Sequence, residues 1–236
     1  MHPAVAERLR QVNREFYQAF AVPFAQTRRR LQPGAAEAVR SLPSDAAVLD
    51  LGCGSGEVPR ALARCGHRGV YLGIDECAAL LDVARTTGLP QAEFAEADLA
   101  DPGWTRLARL PYTHALAFAV LHHLPGAARA SFLGGVRAVL AADGAFLFSV
   151  WQLQISERLR RRIVPWEVIG LDASQVDEGD FLIDWRHGGH GLRYVHAFGE
   201  GELEALARQT GFRSVGSYES DGQGGRLGRY STWAPA

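Results

Sequence analysis

Residues 48–62 read VLDLGCGSGEVPRAL, with glycines at alternate positions, Gly52, Gly54 and Gly56, between an apolar run and a helical pattern. A strand that enters a glycine turn and leaves as a helix brings backbone N–H groups close to a ligand. The spacing is G-x-G-x-G, one residue tighter than the dinucleotide fingerprint G-x-G-x-x-G. Asp50 stands just before the glycines and Glu57 just after. A carboxylate at Asp50 repels a pyrophosphate and suits a ligand that carries positive charge.

The segments that follow alternate. Apolar strands are expected over 47–51, 69–74, 92–95, 113–120 and 145–151. Helices are expected over 56–65, 77–86 and 127–140, with a weaker one over 104–109 and a turn at Asp143-Gly144. Pro59 is tolerable only in a first helical turn. Strands apolar on both faces and alternating with helices predict a parallel sheet covered on both sides. Before the sheet, residues 1–31 read as helical, with Val5, Leu9, Val12, Phe16 and Phe20 near helical spacing, and 34–41 as a second short helix. After the fifth strand the pattern breaks over 152–197, too long for an ordinary connection and read as a functional insertion. A last helix ends at Gly211, and a hairpin turning at 221–225 would pair antiparallel with the sheet edge. The expectation is one domain over 1–236, with an N-terminal helical cap at 1–44 and a substrate-side insertion at 152–197.

The bulk numbers narrow the function. Of 236 residues, 25 are basic and 26 acidic, so net charge points to no nucleic-acid partner. Every basic residue is Arg, so each fixed cation is a planar, bidentate donor. Three cysteines, Cys53, Cys65 and Cys77, are too few and too scattered for a disulfide framework or a zinc site, and no metal site is expected. No apolar run approaches membrane-spanning length, so a soluble cytoplasmic protein is the expectation.

Two further acids extend the first. The stretch YLGID ends the second strand in Asp75, 19 residues after Gly56, where a carboxylate can accept both ribose hydroxyls of a nucleoside. EADL places Asp98 after the third strand, suited to an adenine amino group. S-adenosylmethionine has no phosphate and carries a sulfonium and an ammonium, which fits an acid set around a glycine loop.

LDLGCGSG resembles motif I of the class I S-adenosylmethionine-dependent methyltransferases, and Asp75 and Asp98 match that family's ribose and adenine acids. The resemblance implies a three-layer, Rossmann-like α/β fold. Its seven-stranded sheet has the order 3-2-1-4-5-7-6, with strand 7 antiparallel. It assigns Asp50, Gly52, Gly54, Gly56, Asp75, Asp98, Leu99 and Ala119 to the cofactor S-adenosyl-L-methionine. Thr113 stands where many relatives have Asp, and Ala117 where many have a small polar residue.

The outer motifs are FAQTRRR, AVLHHL, SVW, RIVPW and LRYVHAFGEGELEAL. In this order they resemble the eukaryotic-type wobble-uridine methyltransferases of tRNA, which esterify 5-carboxymethyluridine. Val195 replaces the second Tyr of that family's Arg-Tyr-Tyr-His run. The resemblance implies tRNA as a partner, and family members work with a small zinc-binding activator subunit. An ionised carboxylate is already a nucleophile at neutral pH, so its methylation requires an oriented oxygen rather than a base. Arg28 and Arg193 are the candidate bidentate clamps. Trp151, Trp166 and Tyr194 are candidate apolar walls, and His196 a support for Tyr194. His122 and His123 invite a general-base role instead, which would suit O- or N-methylation of a small metabolite. The clusters 28–30 and 158–162 would form a phosphate-binding rim if they share the mouth of the cofactor pocket, although the acidic stretch 172–184 argues against a uniformly basic insertion.

Overall fold

The computed structural model describes residues 1–27 and 30–236. Arg28 and its neighbour Arg29 lie outside the described residues. Five strands alternate with helices: β1 (Val48–Leu51), β2 (Tyr71–Asp75), β3 (Ala92–Glu96), β4 (Tyr112–Phe118) and β5 (Leu140–Trp151). The insertion adds β6 (Ile163–Val164), β7 (Asp180–Trp185) and β8 (Gly191–His196), and the chain closes with β9 (Phe212–Ser220) and β10 (Gly228–Pro235). The main sheet runs β3-β2-β1-β4-β5-β10-β9. With the insertion strands set aside, this is the expected order. β10 runs antiparallel to both β5 and β9.

Alternation along the central strands builds two apolar layers. Leu49, Leu51, Ile74, Ala115, Phe146 and Phe148 face one core, against Phe132 and Val136 of α5 (Ala128–Val139) and Leu203 of the C-terminal helix Glu202–Gln209. Val48, Tyr71, Leu116 and Leu147 face the other, against Val39 of α2 (Pro33–Arg40) and Leu62 of α3 (Glu57–Arg64), while α4 (Ala78–Ala84) connects β2 to β3. The result is the expected three-layer sandwich.

Two local expectations are corrected. The segment 104–109 is a 3₁₀ turn, Pro102–Leu107, whose first free N–H groups include that of Gly103, bonded to the Asp101 carboxylate at 2.8 Å. Asp143-Gly144 does not precede the fifth strand but lies inside β5, which starts at Leu140. The pairing with β4 steps from Tyr112↔Leu140 to His114↔Ala145, so the extra residues are taken up as a bulge.

The insertion folds as a small antiparallel sheet, β6-β7-β8. It is roofed by the long helix α1 (Pro3–Thr27), which contains Pro23 and bends at Phe20 (φ −115°, ψ 16°). Pro23 lacks an N–H and crowds the carbonyl four residues back, which accounts for a bend at this place. The contact between α1 and β8 depends on Gly191: a Cβ there would lie 2.6 Å from the Phe20 ring and 2.8 Å from that of Phe16.

Candidate active site

The main cavity, of about 660 Å³, runs from the glycine loop to the insertion. At one end, β1 stops and the loop turns with Gly52, Gly54 and Gly56 at φ of 77°, 54° and 84°. At Gly52 a side chain is also excluded by space, since its Cβ would sit 2.4 Å from Val120 Cγ2. Gly54 and Gly52 line the cavity, whereas Gly56 sits behind, at the N-terminus of α3.

Asp50, Asp75, Asp98, Leu99 and Ala119 line the same end. Asp50 is buried and accepts a 2.6 Å hydrogen bond from the Tyr71 hydroxyl. Burial pushes its carboxyl up to about 7 against the relief from Tyr71, with Asp75 and Glu57 adding repulsion. Asp75 accepts the N–H of Gly54 and of Cys77, each at 2.9 Å, which ties the loop to the tip of β2. Burial raises its carboxyl too. Asp98 accepts the Ala100 N–H at 2.8 Å. Ala119 holds a positive φ of 57°, an uncommon state for a residue with a side chain, and donates its N–H to the Ser149 hydroxyl at 3.0 Å.

Sequence reasoning missed that α1 completes this end. Arg14 reaches Asp98 at 3.1 Å and Glu76 at 3.5 Å, and Arg10 reaches Asp98 at 3.5 Å. Glu76 also lines the cavity, and burial followed by repulsion from Asp98 pushes its carboxyl up to about 7. A charged pair on a helix that precedes the sheet by over 30 residues leaves no local spacing signal. Glu76 itself, next to Asp75, was readable as a second acid.

The other end of the cavity is built from different elements. Arg193 of β8 lines it, yet its exposure is only 3%. Its guanidinium lies over three rings: Phe16 of α1 at 4.9 Å, Trp151 at the end of β5 at 5.0 Å, and Trp185 of β7 at 5.0 Å. Ring faces attract the cation without cancelling its charge. Trp151 and Trp185 also line the cavity.

Tyr194 and His196 take the opposite strand face, as alternation requires, and are absent from the cavity lining. Both are buried structural groups. The Asp180 Oδ1 accepts the Tyr194 hydroxyl and pairs with His196 Nδ1, each at 2.7 Å. His196 Nε2 meets Glu202 at 2.8 Å, and Arg129 of α5 donates to the Tyr194 hydroxyl at 3.2 Å. This hub ties the insertion to the C-terminal helix and to α5. Tyr194, a candidate wall, is therefore corrected to a group behind the cavity, and His196 braces it through Asp180. Trp166 likewise packs against Val5, Leu9 and Tyr194, outside the cavity.

Of the two histidines after β4, the fully buried His122 accepts the Trp151 N–H at 3.4 Å and stays behind the cavity wall. The neighbouring His123 is the one that lines the cavity. Its Nδ1 faces the Tyr194 carbonyl at 2.9 Å, which requires a proton there, and its Nε2 faces the Tyr17 hydroxyl at 3.1 Å. The general-base reading thus loses His122 on position. Arg30, Arg158 and Arg162 reach the same cavity, so parts of both basic clusters share its mouth.

Among the described residues, no helix is long and apolar enough to cross a membrane.

Residues 24–216 match the family model described as a methyltransferase domain. The chain is 26% identical over 216 residues to the tRNA (carboxymethyluridine(34)-5-O)-methyltransferase of Schizosaccharomyces pombe, covering 84% of this chain and 86% of that one. It is 29% identical over 170 residues to a candidate methyltransferase of Encephalitozoon cuniculi, covering 70% of each. Among solved structures, DhpI in complex with SAM and HEP superposes with a TM-score of 0.69 at 22% identity, over 96% of this chain and 98% of that one. At that identity the likeness speaks for the fold.

Proposed function

The chain belongs to the methyltransferase-domain family and is an S-adenosylmethionine-dependent methyltransferase, and from that premise we propose that it O-methylates a carboxylate on a tRNA wobble-uridine-type acceptor. The observation that carries this reading is Arg193, a buried guanidinium that lines the same cavity as the cofactor loop.

The cofactor supplies an electrophilic methyl group on a sulfonium. The glycine loop and Asp50 suit its cationic amino-acid part, Asp75 the ribose hydroxyls, and Asp98 with Leu99 the adenine. A carboxylate has about four lone-pair sites, so Asp75 can keep its two backbone bonds and still accept from ribose. Arg193 would take the acceptor carboxylate in a bidentate grip and aim one oxygen at the methyl. Phe16, Trp151 and Trp185 fix the guanidinium plane, so little side-chain freedom remains to be lost on binding. They also keep the site apolar, which favours a step in which carboxylate and sulfonium charges cancel. No base is needed, in line with His122 standing behind the wall. The 26% identical relative from S. pombe, named for this reaction, supports the acceptor class.

A second reading is favoured by the depth of Arg193. With 3% exposure it can meet only a group that enters the cavity, which a small anionic metabolite does as well as an extruded base.

The test is methyl transfer from methyl-labelled S-adenosylmethionine to total tRNA and to a metabolite extract, followed by mild alkali. A methyl ester on tRNA releases its label as methanol, and ethers or N-methyl groups do not. Arg193→Gln is expected to lower methyl transfer about 100-fold or more while cofactor affinity stays within about twofold. Label found only in small molecules, or full transfer by Arg193→Gln, would overturn the proposal.

A further inference from the structure

We propose that Arg158 and Arg162, joined by Arg30, form a phosphate-binding subsite at the mouth of the cavity, so that the acceptor carries a phosphate group in addition to the group that is methylated. This rests on the reading above that the acceptor is an anion bound in this cavity.

The placement begins with a short helix, α6 (Glu157–Arg160). The Ser156 hydroxyl caps it by accepting the Leu159 N–H at 3.3 Å. Leu159 is buried with Leu153, Ile183 and Val195, which anchors the turn in the core of the insertion. The chain keeps turning past the helix end, with the Arg162 N–H bonded to the Leu159 carbonyl at 2.9 Å. Arg158 and Arg162, four residues apart, therefore fall on one face, and both line the cavity. Arg161 falls on another face and pairs with Glu157. Arg30 comes to the same cavity from the segment before α2.

Among the described residues, Arg30, Arg158 and Arg162 have no ion pair, while Arg10, Arg14, Arg129, Arg161, Arg186 and Arg226 each have at least one. Most acids of the cavity belong to its other end, where Arg10 and Arg14 already face Asp98 and Glu76; Asp221 also lines the cavity, and its carboxylate is taken up by the Gly34 N–H at 3.0 Å and the Tyr230 hydroxyl at 2.5 Å. Guanidinium groups that share a cavity repel one another, and an anion with several oxygens relieves this. A lone carboxylate offers only two oxygens, and Arg193 takes those. A phosphate offers more, in the planar fork geometry that Arg matches.

The probe is inorganic phosphate, titrated by calorimetry into the full chain saturated with S-adenosylhomocysteine. Wild type is expected to bind phosphate saturably, and the double variant Arg158→Gln/Arg162→Gln about tenfold or more weakly. Arg161→Gln, on the outer face, is the control and should match wild type. Uridine, uridine 5′-monophosphate and the dinucleotide UpU then separate the sources. A monophosphate bound tighter than UpU points to a phosphorylated metabolite, and the reverse to an RNA backbone; either upholds the subsite when the double variant loses the preference over uridine. Affinity for the phosphate probes should fall between about 50 and 200 mM salt. No phosphate binding by wild type, or equal binding by the double variant, overturns the subsite. Loss of carboxylate methylation with phosphate binding intact would instead overturn the acceptor reading and leave the subsite standing.

Discussion

The two ends of the cavity are made in opposite ways. The cofactor end hangs on the tips of three neighbouring strands, where β1, β2 and β3 each deliver an acid, and its glycines and acids lie within 50 consecutive residues. The other end, the proposed acceptor end, draws Phe16 from α1, Trp151 from β5, Trp185 from β7 and Arg193 from β8. The first end is built by backbone geometry, the second by docking of an inserted sheet and an N-terminal helix. The first is acidic, the second basic and aromatic. One end should therefore be hard to disturb except by its own residues, and the other should fail when its distant supports fail.

Asp180→Ala is the largest expected break in that symmetry. Asp180 is fully buried and gathers Tyr194, His196 and, at 4.0 Å, Arg129. Its removal leaves Arg129, a buried cation, with neutral partners at the Leu124 carbonyl and the Tyr194 hydroxyl and, among the described residues, one acid, Asp177, at 4.0 Å. The expected cost is about 3 kcal/mol or more, read as a lowered urea midpoint. At a temperature where the variant stays folded, acceptor turnover should drop while cofactor affinity holds within about twofold. Equal losses at both ends would mean that the insertion and the glycine loop are one cooperative unit.

The same contrast explains what could be read from the residues alone. Gly52, Asp50, Asp75 and Asp98 were legible because each sits at a strand end, and strand ends follow from apolar runs and turn residues. The sheet order was legible only through the family resemblance, since spacing does not fix which strands pair. Arg193 stands out by residue type but not by position: its neighbour Tyr194 stands out equally, and the strand's two-residue period sends them to opposite faces. A β-strand over 191–196 in the insertion would have forced that choice. Arg10, Arg14 and Trp185 carry no signal, because their contacts depend on how α1 crosses the strand tips at Asp98 and Glu76 and, further on, the insertion. His122 and His123 form an ambiguous pair in sequence, and the 3₁₀ turn Leu121–His123 decides which one faces the cavity.

Asp50→Asn sharpens the contrast from the cofactor side, with a smaller effect. A neutral amide keeps an oxygen for the Tyr71 hydroxyl but gives up the charge that suits a sulfonium amino acid. Cofactor affinity is expected to fall by about 2 kcal/mol, or roughly 30-fold. Stability should move the other way. The folded protein holds a proton on Asp50 up to about pH 7, whereas the ordinary value is 3.8. Between those values the folded state binds more protons than the unfolded one, so stability falls as pH rises through the window and stays low above it. Above pH 7 the buried charge is a standing cost that Asn removes. The cofactor-free variant should therefore be more stable than wild type at pH 8, by on the order of 2 kcal/mol, and nearly equal to it at pH 4. A variant that loses both affinity and stability at pH 8 would show that Asp50 holds the loop together rather than waiting for a cation.

The smallest expected effect is the pH dependence of cofactor affinity in the wild type. Asp50 and Glu76 both sit near 7 in the cofactor-free protein, each because burial disfavours its charge. A cationic ligand binds the ionised form of Asp50, so lowering the pH from 8 to 6 should weaken binding by about tenfold through that group. Glu76 adds less, since Arg14 already shares its charge and a ribose hydroxyl can meet a protonated acid. Binding of sulfate, a phosphate analogue that stays doubly charged over this range whereas phosphate itself takes up a proton, should show no such loss, because the arginines at the other end also keep their charge. A titration of S-adenosylmethionine and of sulfate at pH 6, 7 and 8 separates the two. Parallel curves would mean that the ends of the cavity are electrostatically coupled through Arg10 and Arg14, and that the division between an acidic and a basic end is one of sequence only.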